Sequence, residues 1–201
     1  GYSSAASDVY KRQMWIGYFE QAGITQTPEN GFGTTPLTKY RRHILMLHPS
    51  TVLVYDELEA SEAVRWEWLL HSPTEFEIDA VKKTLSTNNN TKGFVAVTQL
   101  FGGHVFDLSQ TDRFVVPPAT TGADYPNQWH LTARVDGSSA TRFLAVIQVG
   151  DTKESVSAIH RDGDTFSVGD WKIEAILDVS KASKLTVTHR TEPAVFSLSL
   201  I

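Results

Sequence analysis

The chain has 201 residues, 41 % of them hydrophobic and 20 % charged, with a net charge of −5 and no cysteine. That is enough chain for one sizeable core. It excludes disulfides, thiolate metal sites and cysteine nucleophiles, and the acidic balance speaks against nucleic acid or an anionic membrane as a partner held by bulk charge. No apolar run approaches the roughly 18 residues that a bilayer-spanning helix needs.

In chain order, the first segment is unlike the rest. Written as codons, "SSAASDVYKRQ" (3–13) resembles, base for base, a transposase adapter used in sequencing libraries. The last four residues, "LSLI" (198–201), match the start of the reverse complement of that adapter's last part. Such scars are set aside in fold reasoning. Residues 1–13 are therefore expected to be a disordered tail and 198–201 a second adapter-derived tail.

Between them the chain reads as strands. "TKYRRHILML" (38–47) and "TVLVYDEL" (51–58) flank His48-Pro49-Ser50, a hairpin signal because proline presets φ for a turn corner. With Pro49 and Ser50 as the tip, His43 faces Asp56 and Arg42 faces Glu57, two charge-complementary pairs; proline does not suit the two-residue primed turn, so a longer loop with a one-residue shift is the alternative. Both faces of this hairpin are apolar near the tip, which predicts cover on both sides. "AVRWEWLLH" (63–71) alternates, with Val64, Trp66, Trp68 and Leu70 on one face and Arg65, Glu67, Leu69 and His71 on the other.

"FEIDAV" and "KTLST" predict a weaker hairpin; "FVAVTQLF" (94–101), "HVFDLS" (104–109) and "DRFVV" (112–116) predict three more strands. The longest loop, "PPATTGADYPNQ" (117–128), follows. "WHLTARV" (129–135) and "TRFLAVIQV" (141–149) are expected to form a hairpin across Asp136-Gly137. "SVSAIHR" (155–161) and "TFSVG" (165–169) flank Asp162-Gly163, and "WKIEAILDV" (171–179) and "KLTVTHR" (184–190) close the run. No segment sustains a 3.6-residue period over three turns. The expected fold is all-β, an antiparallel β-sandwich or stacked sheets of about a dozen strands, with residues 14–197 as one domain of a longer chain.

The stretch "YRRHILMLHPSTVLVYDELEASEAVRWEWLLHSP" (40–73) resembles the C-terminal β-domain of heparinase II/III-like polysaccharide lyases, as do "QTDRFVVPP", "YPNQWHLTA" and "TRFLAVIQVG". The resemblance spans roughly residues 38–150 and rests on strand-and-turn patterns. It implies an N-terminal α-toroid paired with a β-sandwich domain, in a periplasmic or secreted protein. It also implies cleavage of uronic-acid-containing polysaccharides by β-elimination, which needs a base, an acid for the leaving oxygen and a group that offsets the uronate carboxylate. The implied partners are an acidic polysaccharide and the toroid. Family members carry a His-x-His motif early in the β-domain, where a metal is held; this sequence has no His-x-His. No catalytic residue carries over, so the centre is expected upstream of Met14 and the chain alone is expected to be inactive. The other reading is a non-catalytic carbohydrate-binding or structural sandwich.

Three residues stand out as substrate contacts. His71 ends the Trp-rich strand and His130 follows Trp129; both imidazoles could meet a carboxylate, the alternative being hydrogen-bonded strand-end histidines. Trp129 follows the long loop, a common location for binding residues. Trp66 and Trp68 share a face but lie between Val64 and Leu70, so burial in the core is expected. His43 with Asp56 could be a ligand pair but reads rather as a structural ion pair, and His43 and His48, five apart near one strand, point to opposite faces and do not chelate together.

Overall fold

The computed structural model describes residues 21–23, 35–89, 93–113, 128–192 and 197–200. The chain divides into two units, Gly1–Leu37 and Thr38–Ile201. Nearly all described residues belong to the second, which is all-β and antiparallel. Its first sheet holds β1 (Leu37–Leu47), β2 (Thr51–Ser72), β3 (Glu77–Asp79), β4 (Thr84–Asn89), β5 (Phe94–Gly102), β6 (Asp107–Thr111) and β7 (Trp129–Gly150). The order is β1-β2-β7-β5-β4-β3, with β6 paired to the early part of β7. After a 3-10 turn at Lys153–Ser155, the second sheet holds β8 (Ile159–Asp162), β9 (Thr165–Val168), β10 (Trp171–Ala175), β11 (Leu185–His189) and β12 (Ser197–Leu200), in the order β12-β11-β10-β9-β8.

The sheets stack through one apolar layer. Leu53, Tyr55, Leu144 and Val146 from β2 and β7 meet Phe166, Ile173 and Leu185 from the second sheet, all 1 % exposed or less. Each such side chain contributes roughly 1.5–3 kcal/mol by leaving water. Two polar clamps tie the layers together. The Tyr55 hydroxyl donates to the Ile176 carbonyl at 2.7 Å, and the buried Arg142 guanidinium donates to the carbonyls of Ile176, Asp178 and Lys181.

The expected hairpin at Asp136-Gly137 does not form. β7 runs unbroken through these residues and β2 runs unbroken through Glu59–Val64, the two pairing along their lengths with register shifts between Glu59 and Val64 and between Val64 and Trp66. Gly137 takes φ +68°, the conformation that makes Asp-Gly a turn signal, but spends it on an irregularity inside a strand. The indole of Trp66 donates to the Ser138 carbonyl at 2.8 Å across this point. Val54, Leu58, Trp66 and Trp68 from β2 join Leu131, Ala133, Phe143 and Ala145 from β7 in a second core cluster. Both halves of each strand thus turn the same face into one cluster: the paired strands bend and close their concave face on itself. The outer half, residues 64–72 with 129–138 and β6, forms a leaf folded over the main sheet.

The first hairpin takes the longer loop, shifted by one residue from the two-residue tip. The turn takes three residues, His48–Ser50, rather than two, so Arg42 bonds Asp56 while Lys39, Arg41 and His43 surround Glu57. A proline suits a three-residue connection better than the two-residue primed turn, which favours glycine and asparagine. Leu45, Leu47, Leu53 and Tyr55 turn to the second sheet, and Ile44 and Met46 stand 64 % and 77 % exposed rather than covered.

The Asp162-Gly163 hairpin forms as expected, with Gly163 at φ +59°. Strand 155–161 is shorter than expected, beginning at Ile159. Residues 198–200 pair within β12 against β11. Residues 1–13, 117–127 and most of the expected strand 112–116 lie outside the described residues.

Candidate functional site

The folded leaf presents a three-stranded outer face. Strand alternation places Arg65, Glu67, Leu69 and His71 of β2 on it, as expected, with their counterparts on β7 and β6. The register sets them in rows: His71–His130–Thr111 at the far end, then Leu69–Thr132–Ser109, then Glu67–Arg134–Asp107. His71 and His130 are direct cross-strand partners, their ring centroids 4.5 Å apart and the planes tilted by 31°. Two of the three expected contact residues are therefore brought together by a pairing that spans the whole leaf.

The third is not. Trp129 precedes His130 by one residue, so it turns to the opposite face, where it is half-buried against the inner core cluster. The position after a long loop suggested exposure; the alternation of β7 decides otherwise. Trp66 and Trp68 are buried at 8 % and 5 % exposure, as their flanking apolar residues predicted.

Charges on the lower part of the face compensate one another. Arg134 Nε donates to Asp136 Oδ2 at 2.7 Å, and Arg65 Nε donates to Asp136 Oδ1 at 3.2 Å. Hydrogen bonding from Arg134, aided by Arg65, holds the Asp136 carboxyl below the usual carboxylate range. The face thus runs from a compensated ionic end to an imidazole pair, with the exposed Leu69 between them.

Clefts lie elsewhere among the described residues. One of about 350 Å³ is lined by Glu57, Glu59, Thr141, Arg142 and Val179, where the end of β1 meets the bend. Another of about 370 Å³ lies where the first hairpin tip meets the second sheet, lined by His48, Gln148, Ser157, Trp171 and His189. The Trp171 indole donates to the His48 carbonyl at 3.3 Å and meets the His189 ring edge-on. Sequence reading left Arg142 unmarked; a lone cation inside the apolar run "TRFLAVIQV" was the available signal for a buried clamp. Among the described residues, no group of three His, Asp or Glu side chains converges on a metal position.

No family model matches the chain, and no curated protein matches it in sequence. The fold does have solved counterparts. A heparinase III gene product with methylated lysines matches with a TM-score of 0.57 at 14 % identity, over 84 % of this chain and 24 % of that one. A second heparinase III gene product structure matches with a TM-score of 0.55 at 14 % identity, over 80 % of this chain and 23 % of that one. The chain thus has a heparinase-like β fold and spans about a quarter of the length of the structures it matches.

Proposed function

We propose that this chain is the C-terminal β-domain of a polysaccharide lyase that cleaves uronic-acid-containing polymers by β-elimination. The observation that carries the reading is the fold likeness to heparinase III over most of the chain. The strand-and-turn resemblance over residues 38–150 supports it from the sequence side. In this reading the base, the acid and any metal that serves the reaction belong to other parts of a longer polypeptide, which works in the periplasm or outside the cell. The β-domain forms part of the substrate cleft and supports an α-toroid.

The leaf face would be its contact with the polymer. His71 and His130 can donate hydrogen bonds to a uronate carboxylate, and the bond is strengthened when an imidazole is protonated. Leu69 offers an apolar patch for a sugar ring beside them. Trp129 would act from below, by supporting the backbone that carries His130.

The isolated chain should give no rise in unsaturated-uronate absorbance with heparin, heparan sulfate or alginate. It should still be retarded in gels containing one of these polymers, and the double variant His71→Ala/His130→Ala should migrate freely. Lyase activity from the chain alone would refute the placement of the catalytic groups elsewhere. In the parent gene, an in-frame helical region followed by His-x-His supports the reading; a stop codon or an unrelated domain directly upstream refutes it.

A further inference from the structure

We infer that His71 and His130 form a two-imidazole binding site for a divalent transition-metal ion. Imidazole nitrogen is a preferred ligand of copper(II), nickel(II) and zinc(II). The two side chains come from strands whose register is fixed on both sides, by Leu70 opposite Leu131 and Ser72 opposite Trp129. Their backbone positions are thus set before any ion arrives, and ordering them costs little on binding.

The ring separation fits a shared ion. A metal–imidazole bond is about 2.0–2.1 Å, which puts each ring centre about 3.2 Å from the metal. Two rings at a right angle about the metal then lie about 4.5 Å apart, and two at the tetrahedral angle about 5.2 Å. The observed separation is 4.5 Å. That spacing is within the range that one shared ion needs, and the choice among ions follows from the ligand preference of imidazole and the general affinity order.

Among the described residues no third ligand completes the set. Water takes the remaining positions, as the exposure of His71 permits. Two ligands and open positions describe an exchangeable site with copper(II) bound most tightly, in line with the general affinity order of these ions. A bound ion would cross-link the far ends of β2 and β7 and so stabilise the leaf. The inference does not depend on the lyase reading: a chain that binds no polysaccharide would still bind the ion.

The test uses the full chain without a histidine tag, titrated calorimetrically with copper(II), nickel(II) and zinc(II) salts. One site is expected, tightest for copper(II), with a copper(II) resonance spectrum showing two equivalent nitrogen ligands and a raised melting temperature. His71→Ala and His130→Ala should each weaken copper binding at least tenfold, and His160→Ala should leave it unchanged. His130→Asn serves if the alanine variant does not fold. Binding retained by the His71 variants, or a parent that binds no more tightly than the double variant, overturns the inference.

Discussion

Arg42 grips Asp56 across β1 and β2 with two hydrogen bonds, Nε to Oδ1 at 2.6 Å and Nη2 to Oδ2 at 2.8 Å. The partners differ in their surroundings: the Arg42 side chain is 37 % exposed and that of Asp56 only 1 %. Removing the arginine leaves a buried carboxylate uncompensated, whereas removing the carboxylate leaves a cation that can turn to water. Arg42→Ala should cost about 2–4 kcal/mol, below the fully buried range because water reaches the pair. Asp56→Asn should cost about 1–2 kcal/mol. Urea denaturation of both variants checks the order, and equal losses would contradict it.

Glu57 lies one residue on, facing the other side of the sheet with its side chain 2 % exposed. Burial pushes its carboxyl up, but bonds from Lys39 and Ser183, with the charge of Arg41, outweigh that and hold it below the ordinary glutamate value. A depressed carboxyl stabilises the fold above the unfolded-state pKa, and the contribution is lost as pH falls through the lower folded-state value. Urea midpoints measured from pH 7 down to 3 should fall more steeply below about pH 4.5 in the parent than in Glu57→Gln. Parallel curves would show that Glu57 carries none of the acid sensitivity.

Tyr55 should set an alkaline limit. Burial pushes its phenol up to about 12, against the opposing charge of Arg142. A raised pKa gives stability that is complete below the unfolded value near 10 and is lost as pH rises through the folded value. Stability should therefore fall between about pH 10 and 12, by up to about 2–3 kcal/mol. Tyr55→Phe removes that dependence and also the bond to the Ile176 carbonyl. Ultraviolet titration of phenolate should show one late tyrosine that is missing from the variant.

Gly103 and Gly137 should respond differently to alanine. A Cβ at Gly103 would lie 2.2 Å from the Leu177 carbonyl oxygen, a backbone atom that cannot swing away. Gly103→Ala should cost about 2–4 kcal/mol by forcing the sheets apart at this point. At Gly137 nothing lies within 4 Å, and only the positive φ resists a side chain. Gly137→Ala should cost about 1 kcal/mol. Thermal melts of the two variants separate the clash from the conformational cost.

The two buried strand tryptophans also differ. Trp66 Nε1 donates to the Ser138 carbonyl, whereas Trp68 Nε1 has no hydrogen-bond partner. Trp66→Phe loses both area and a bond across the bend and should cost about 2–3 kcal/mol. Trp68→Phe loses area but removes an unmatched donor, so its cost should be about 1 kcal/mol or less. Equal destabilisation in denaturant titrations would mean that the Trp68 donor is satisfied in solution.

Alternation along single strands was legible in the sequence. Val64, Trp66, Trp68 and Leu70 could be read as an inner face because a strand turns successive side chains to opposite sides whatever its partners are. The same rule put His71 on the outer face. Yet the meeting of His71 with His130 depends on β2 and β7 pairing end to end, and the sequence suggested instead that β7 was two strands. Asp136-Gly137 supplies the backbone conformation of either a turn or a strand irregularity, and local residues do not choose between them. The opposing strand chose, because β2 continues past the same point and offers partners on both sides of it. The placement of Trp129 went the same way, since its exposure followed from the phase of β7 rather than from the loop before it.

The sequence by itself determined the all-β class and the inner and outer faces of residues 64–71, because these follow from local period and turn chemistry. Only the tertiary structure decided the one-residue register of the first hairpin, the fold-back of the leaf and the union of His71 with His130. Those depend on which distant backbone groups satisfy one another, and in an antiparallel sheet a shift of a single residue changes every partner.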